Sequence, residues 1–236
     1  RAGPADGGEI SKERMHAVKH MVQAFLLIVT LALGSSALAQ AEQPIGKVER
    51  LRDSVTRVTE NDRHPLQIGS PLYAGDIVET SESGRVLIVF IDGSSLQLSG
   101  NARIVIDDLV YDPSGGDDSL LRQSLTMIEG VFLMTSGAIA ERRASAVTFN
   151  TPVATIGIRG TRFLGGRLTV GMPEGTSHYG FQILEGAVSV DAPGGSVILD
   201  APGEGTFLPF GRVAAPTPVR QWTEAEAREA LDLLDF

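Results

Sequence analysis

Val86-Leu87-Ile88-Val89-Phe90-Ile91-Asp92-Gly93-Ser94-Ser95-Leu96-Gln97-Leu98 decides the fold. Its first half is apolar throughout and rich in β-branched residues. It is too short for a helix, so it reads as a strand covered on both faces. Leu96 and Leu98 alternate with Ser95 and Gln97, the pattern of a strand with one wet face. Between them, Asp92-Gly93 is hairpin chemistry, because glycine reaches the positive φ that a tight turn requires. The unit is strand, turn, strand.

The same grammar extends outward. Short apolar runs broken by Gly, Pro, Asn and Asp place strands at 47–51, 54–59, 77–80, 85–91, 95–98, 102–109 and 120–128. Further strands follow at 131–135, 146–149, 162–170, 179–184, 187–190, 196–199 and 205–208. Glu129-Gly130 and Glu185-Gly186 read as two more hairpin turns. No 3.6-residue periodicity is sustained before residue 220. Beyond it, Thr223-Glu224-Ala225-Glu226 forms a capping box, and a helix over 224–234 presents Ala227, Ala230, Leu231 and Leu234 on one face. The expected fold is all-β: a single compact domain over 40–212, sandwich- or solenoid-like. A Pro-containing linker and short C-terminal helix occupy 213–236.

Residues 1–39 read as an address. Lys19 and His20 precede an apolar run over 21–33, and Ala37-Leu38-Ala39 supplies small residues at a cleavage site before Gln40. That order of basic, apolar and small-residue zones is a signal peptide behind an upstream extension, so the expected location is periplasmic or secreted. The apolar run is short of the roughly 20 residues that a membrane helix needs, so no stable span is expected after cleavage. An exported chain with no cysteine depends on packing where disulfides are the usual staple.

Composition excludes much chemistry. Without cysteine there is no thiolate nucleophile, iron–sulfur cluster or Cys-ligated zinc. A net charge of -9 argues against binding nucleic acid, whose affinity comes from cations on phosphates. Beyond the leader only His64 and His178 remain, with neither metal-ligand spacing nor a nucleophile elbow nearby. No cofactor is implied. Asp107, Asp108, Asp112, Asp117 and Asp118 lack the spacing of a calcium loop and read as a solvated acidic loop. The enzymatic alternative is an envelope glycan hydrolase using two carboxylates, with candidates Asp76, Asp92, Asp107 and Asp112.

Thr151-Pro152-Val153-Ala154-Thr155-Ile156-Gly157-Ile158-Arg159-Gly160-Thr161 is the most distinctive segment. With Gly75-Asp76, Asp92-Gly93 and the blocks between them, it resembles the FecR domain family over about residues 45 to 210. The resemblance implies an exported, non-enzymatic module that binds a protein or envelope partner, in signalling or envelope assembly. The family's namesake relays a siderophore signal from an outer-membrane receptor to a sigma factor. The motif residues Gly75, Asp76, Asp92, Gly93, Thr151, Pro152, Gly157, Arg159, Gly160 and Thr161 are implied to be structural or partner-binding. Arg159 either reaches a carboxylate within the fold or stands exposed with Arg162 to read an acidic partner.

Overall fold

The computed structural model describes residues 43–59, 62–211 and 213–236, so the expected leader lies outside the described residues. Residues 43–236 make one compact unit. Its strands are β1 (Gly46–Arg52), β2 (Val55–Val58), β3 (Arg63–Pro65), β4 (Pro71–Leu72), β5 (Ile77–Thr80), β6 (Arg85–Phe90), β7 (Ser95–Leu98) and β8 (Arg103–Val110). They continue as β9 (Arg122–Glu129), β10 (Val131–Thr135), β11 (Val147–Asn150), β12 (Thr155–Leu168), β13 (His178–Ala192), β14 (Gly195–Leu199), β15 (Glu204–Pro209) and β16 (Arg220–Gln221). Two helices, α1 (Ala138–Arg142) and α2 (Glu224–Leu234), complete the described elements. No helix among the described residues is long and apolar enough to cross a membrane.

The strands join in the order β3-β2-β5-β8-β9-β11-β12-β10-β7-β6-β1-β4, all antiparallel except β11 beside β9. Val55 near one end of this path and Leu72 at the other belong to one core cluster, so the sheet curls over on itself. β6 pairs β1 and β7, and each of its residues is buried or half-buried, as its apolar run requires. Phe132, Phe149 and Phe163 meet at the centre; Phe132 stacks on Phe149 at 4.2 Å, and Phe163 packs edge-on against both.

Long strands β12 and β13 form a ribbon from which the other strands fork. The first residues of β12 pair with β11, and residues from Arg162 onward pair with β10. β13 divides the same way, with β15 on its first part and β14 on its last. The change of neighbour on β12 coincides with register shifts between Arg159 and Phe163. Two expected hairpins are corrected by the strand pairing. Glu185-Gly186 is not a hairpin turn, because β13 runs unbroken from residue 178 to 192. Gly186 instead lies opposite the bulge, where a Cβ would come 2.0 Å from the Gly160 carbonyl oxygen. Glu129-Gly130 is not a hairpin either, since β9 and β10 have no common pairing and turn into different parts of the sheet. Of the three acid–glycine pairs, only Asp92-Gly93 joins paired neighbours, β6 and β7.

The C-terminal segment packs on its own domain. Trp222, Ala230 and Leu234 join Val131, Leu164, Leu168 and Phe207 in a second core cluster. The Trp222 ring lies 4.9 Å from Phe207 and parallel to it. Two glycines make its slot: a Cβ at Gly205 would lie 2.0 Å from the indole nitrogen, and one at Gly180 2.8 Å from the ring. The capping box forms as expected, with Thr223 and Glu226 exchanging hydrogen bonds. Arg220 grips the same Glu226 with two nitrogens at 2.6 and 2.8 Å, which holds that carboxyl down at about 2. Leu231, expected on the docked face, is exposed, while Glu226 is buried in its pairing.

Candidate functional site: the Arg159 face

Most of the distinctive motif residues are consumed by the fold. Gly75 takes φ +83°, and the buried Asp76 accepts the Tyr73 backbone N–H at 2.8 Å, closing the turn before β5. Gly93 takes φ +81°, while Asp92 accepts both the backbone N–H and the hydroxyl of Ser94. Thr151 closes the β11–β12 turn by donating its hydroxyl to the Ala154 carbonyl at 2.8 Å and accepting the Ala154 N–H. Pro152 stands exposed within that turn. Gly160 takes φ +59° at the bulge. Thr161 turns inward there, and its N–H reaches the Ser136 hydroxyl at 2.7 Å.

Arg159 is the exception. It is exposed, and its side chain has no ion pair or hydrogen bond among the described residues. The expected pairing with a carboxylate inside the fold is not formed: Thr155, Gly157 and Arg159 alternate with the buried Ile156 and Ile158, so strand alternation aims the Arg159 side chain outward before the bulge begins. Arg162, its expected companion, lies 3.9 Å from Glu185 on the neighbouring strand. Of the two guanidinium groups, only that of Arg159 is uncommitted.

Arg159 borders a cavity of ≈ 250 Å³ on the outer face of β12, β13 and β14. Its floor has small residues, Gly157, Ala187 and Ser189, with Ile198 at one rim and Ala144-Ser145 at the other. A Cβ at Gly157 would lie 2.6 Å from the Ser189 hydroxyl, so the floor stays low because this position has no side chain. Ile198 is 64% exposed beside this trough. An unpaired guanidinium next to apolar surface suits a protein segment carrying a carboxylate. Sequence reasoning isolated Gly157 and Arg159 but missed Ala187, Ser189 and Ile198. Their residue types are ordinary, and only the pairing of β12 with β13 and β14 brings them together.

The other candidates are placed elsewhere. Asp107 accepts the hydroxyls of Ser124 and Thr126, and Asp112 caps Ser114, whose hydrogen bonds hold that carboxyl below its ordinary value. None of Asp76, Asp92, Asp107 and Asp112 lines the trough. The acidic loop is tied down by arginines rather than simply solvated. Arg142 pairs with Asp118 and donates to the Asp112 carbonyl, and Arg143 donates to the Ser119 carbonyl at 2.6 Å. His64 lies 3.9 Å from Asp62. His178 stacks on Phe207 at 4.2 Å, far along β13 from the trough, and burial lowers its pKa. Among the described residues no group of His, Asp and Glu is arranged to hold a metal.

Residues 76–189 match the family model described as FecR protein. Two crystal structures of a candidate anti-sigma factor from Parabacteroides distasonis are similar at 15% identity and a TM-score of 0.43. The alignment covers 63% of this chain and 59% of that one. A cell surface anchoring domain aligns at 34% identity over 26% of this chain and 82% of its own, with a TM-score of 0.25. No curated protein matches this chain.

Proposed function

We propose that this protein, whose residues 76–189 match the FecR family model, is an exported, non-enzymatic module that binds a protein or envelope partner through its Arg159 face. One observation carries the reading: within a motif otherwise devoted to a turn and a bulge, Arg159 is exposed and unpaired. Maintaining the fold does not account for it, whereas a partner carboxylate does. The lining of the trough holds no acid–base pair, which suits recognition rather than turnover. Location in the periplasm or outside the cell follows from the basic, apolar and small-residue zones of residues 1–39. The chain's net acidity further favours a partner whose overall surface is neutral or basic around the carboxylate that Arg159 takes.

The test is photo-crosslinking in living cells from a reactive side chain at Ala187, on the trough floor, followed by identification of the captured protein. Arg159→Glu is expected to reduce that crosslink at least about tenfold while leaving thermal unfolding unchanged, as for an exposed site without internal partners. A crosslink unaffected by Arg159→Glu refutes the assignment of this face. Fractionation that leaves the protein in the cytoplasm refutes export.

A further inference from the structure

An edge strand offers a row of unpaired backbone groups, and proteins blunt such edges with charge, proline or shortness. Among the described strands, β3, β4 and β16 follow that rule. β3 is Arg63-His64-Pro65, β4 is Pro71-Leu72 and β16 is Arg220-Gln221. β14 does not. It is Gly195-Ser196-Val197-Ile198-Leu199, five residues with neither charge nor proline, and it pairs only with β13. No backbone hydrogen bond links its outer side to another described segment. The nearby linker touches only the head of β14, where a Cβ at Gly194 would lie 2.3 Å from the Ala215 nitrogen. It makes its hydrogen bonds with β15, Thr217 to Phe207 at 2.9 Å, so residues 196–199 keep a free outer side among the described residues.

This edge is ordered and adhesive. Leu199 is fully buried and anchors the strand, whereas Ile198 projects into solvent at the rim of the Arg159 trough. The exposed Asp200 immediately follows and has no ion pair among the described residues. A second copy of the chain would bring another Asp200 to the junction between two molecules of net charge -9 each. A foreign strand with an uncharged middle and a basic end fits better.

We propose that β14 is a docking edge, to which a partner protein adds an extended segment as a further strand. That segment is uncharged and β-branched over its middle, with one apolar side chain on Ile198 and a Lys or Arg beside Asp200. Backbone hydrogen bonds provide the attachment and the alternate side chains provide the choice of partner. The proposal deepens the preceding reading, because Ile198 belongs to both the edge and the trough, and it rests on that face being the contact surface.

The test uses the full chain and hydrogen–deuterium exchange, with the peptide Lys-Thr-Val-Thr-Val-Thr-Lys as probe and a copy with proline at its centre as control. At saturation the probe is expected to slow amide exchange in residues 196–199 about tenfold, with β3, β4 and β16 unchanged. The control and an Ile198→Lys variant are each expected to abolish the effect; the substituted side chain is exposed, so the fold tolerates it. No slowing at 196–199, slowing at another edge, slowing that survives Ile198→Lys, or self-association through this edge without peptide would each overturn the proposal. Probe protection is expected to persist in Arg159→Glu. Loss of the edge effect beside an intact Arg159-dependent crosslink therefore removes only this inference, and the reverse removes only the broader one.

Discussion

Trp222→Ala should loosen the C-terminal segment, and its cost can be worked from the slot that holds the indole. A side chain of this size buries about 150–250 Å², worth about 4–6 kcal/mol at ~25 cal/mol per Å². The indole N–H is buried without a hydrogen-bond partner among the described residues, which offsets about 1–3 kcal/mol of that. The net loss is about 3 kcal/mol, at the lower end of measured large-to-small core truncations. At about 2–4 °C per kcal/mol for a domain of this size, the midpoint should fall by about 6–12 °C. Far-UV circular dichroism during urea and thermal unfolding measures this; fluorescence cannot, because the substitution removes the only tryptophan. Trp222→Phe keeps a ring on Phe207 and drops the orphaned donor, so it should cost only about 1 kcal/mol. Gly205→Ala supplies the internal check. Its Cβ would lie 2.0 Å from the indole nitrogen and 2.6 Å from the Phe181 carbonyl oxygen, so it should destabilise strongly with Trp222 present and clearly less, the backbone clash remaining, in Trp222→Ala. A loss below about 1 kcal/mol for Trp222→Ala, or equal Gly205→Ala costs in both backgrounds, would refute the slot as what holds this segment.

At the bulge, Gly186→Ala should be much worse than Gly160→Ala. Both glycines have positive φ, but only a Cβ at Gly186 meets backbone, so Gly160→Ala should cost about 1–2 kcal/mol and Gly186→Ala several, as read by urea midpoints. Glu226 has its carboxyl lowered from 4.5 to about 2, first by Arg220, so its contribution is complete above pH 4.5 and lost as pH falls through about 2. With Arg220 half-exposed, that contribution is about 1–2 kcal/mol, and Glu226→Gln should flatten acid unfolding in that window. His178 is held below its ordinary value chiefly by burial, against the pull of Glu229 and Glu226 and with Arg220 reinforcing the shift. Its neutral form therefore stabilises the fold above about pH 6.5, and that stability is lost as pH falls through the folded value. His178→Phe, which preserves the stack on Phe207, should lose less stability than wild type between pH 7.5 and 5 in urea titrations.

Local chemistry made most of the β elements legible. The apolar run of β6 and the alternation of β7 lie within a few residues of one another, and so does the capping box of α2; each is a nearest-neighbour pattern that a chain writes directly. The errors fell where a local pattern has more than one tertiary outcome. Glu-Gly between apolar runs suits a hairpin turn, a corner or a bulge equally well. Glu185-Gly186 continues through β13 opposite the β12 bulge, where the Gly160 carbonyl leaves no room for a Cβ. The first half of β12 was missed because Thr155 to Gly160 lacks a strong apolar signal, and β11 and β13 on either side pull it into the sheet.

The site divides along the same line. Residue types and their order alone establish that the chain is β-rich, acidic and cysteine-free, and that its distinctive motif centres on Gly157, Arg159 and Gly160. Whether Arg159 served the fold or faced outward was decided by its place on β12, where it alternates with the buried Ile156 and Ile158 and keeps its guanidinium in solvent. The bulge beyond it sends Thr161 inward to Ser136. The trough and the bare edge of β14 likewise depend on strands far apart in the chain being paired in one register. Side-chain type is a property of one residue, whereas exposure and edge position belong to the pairing of strands, which only the folded sheet establishes.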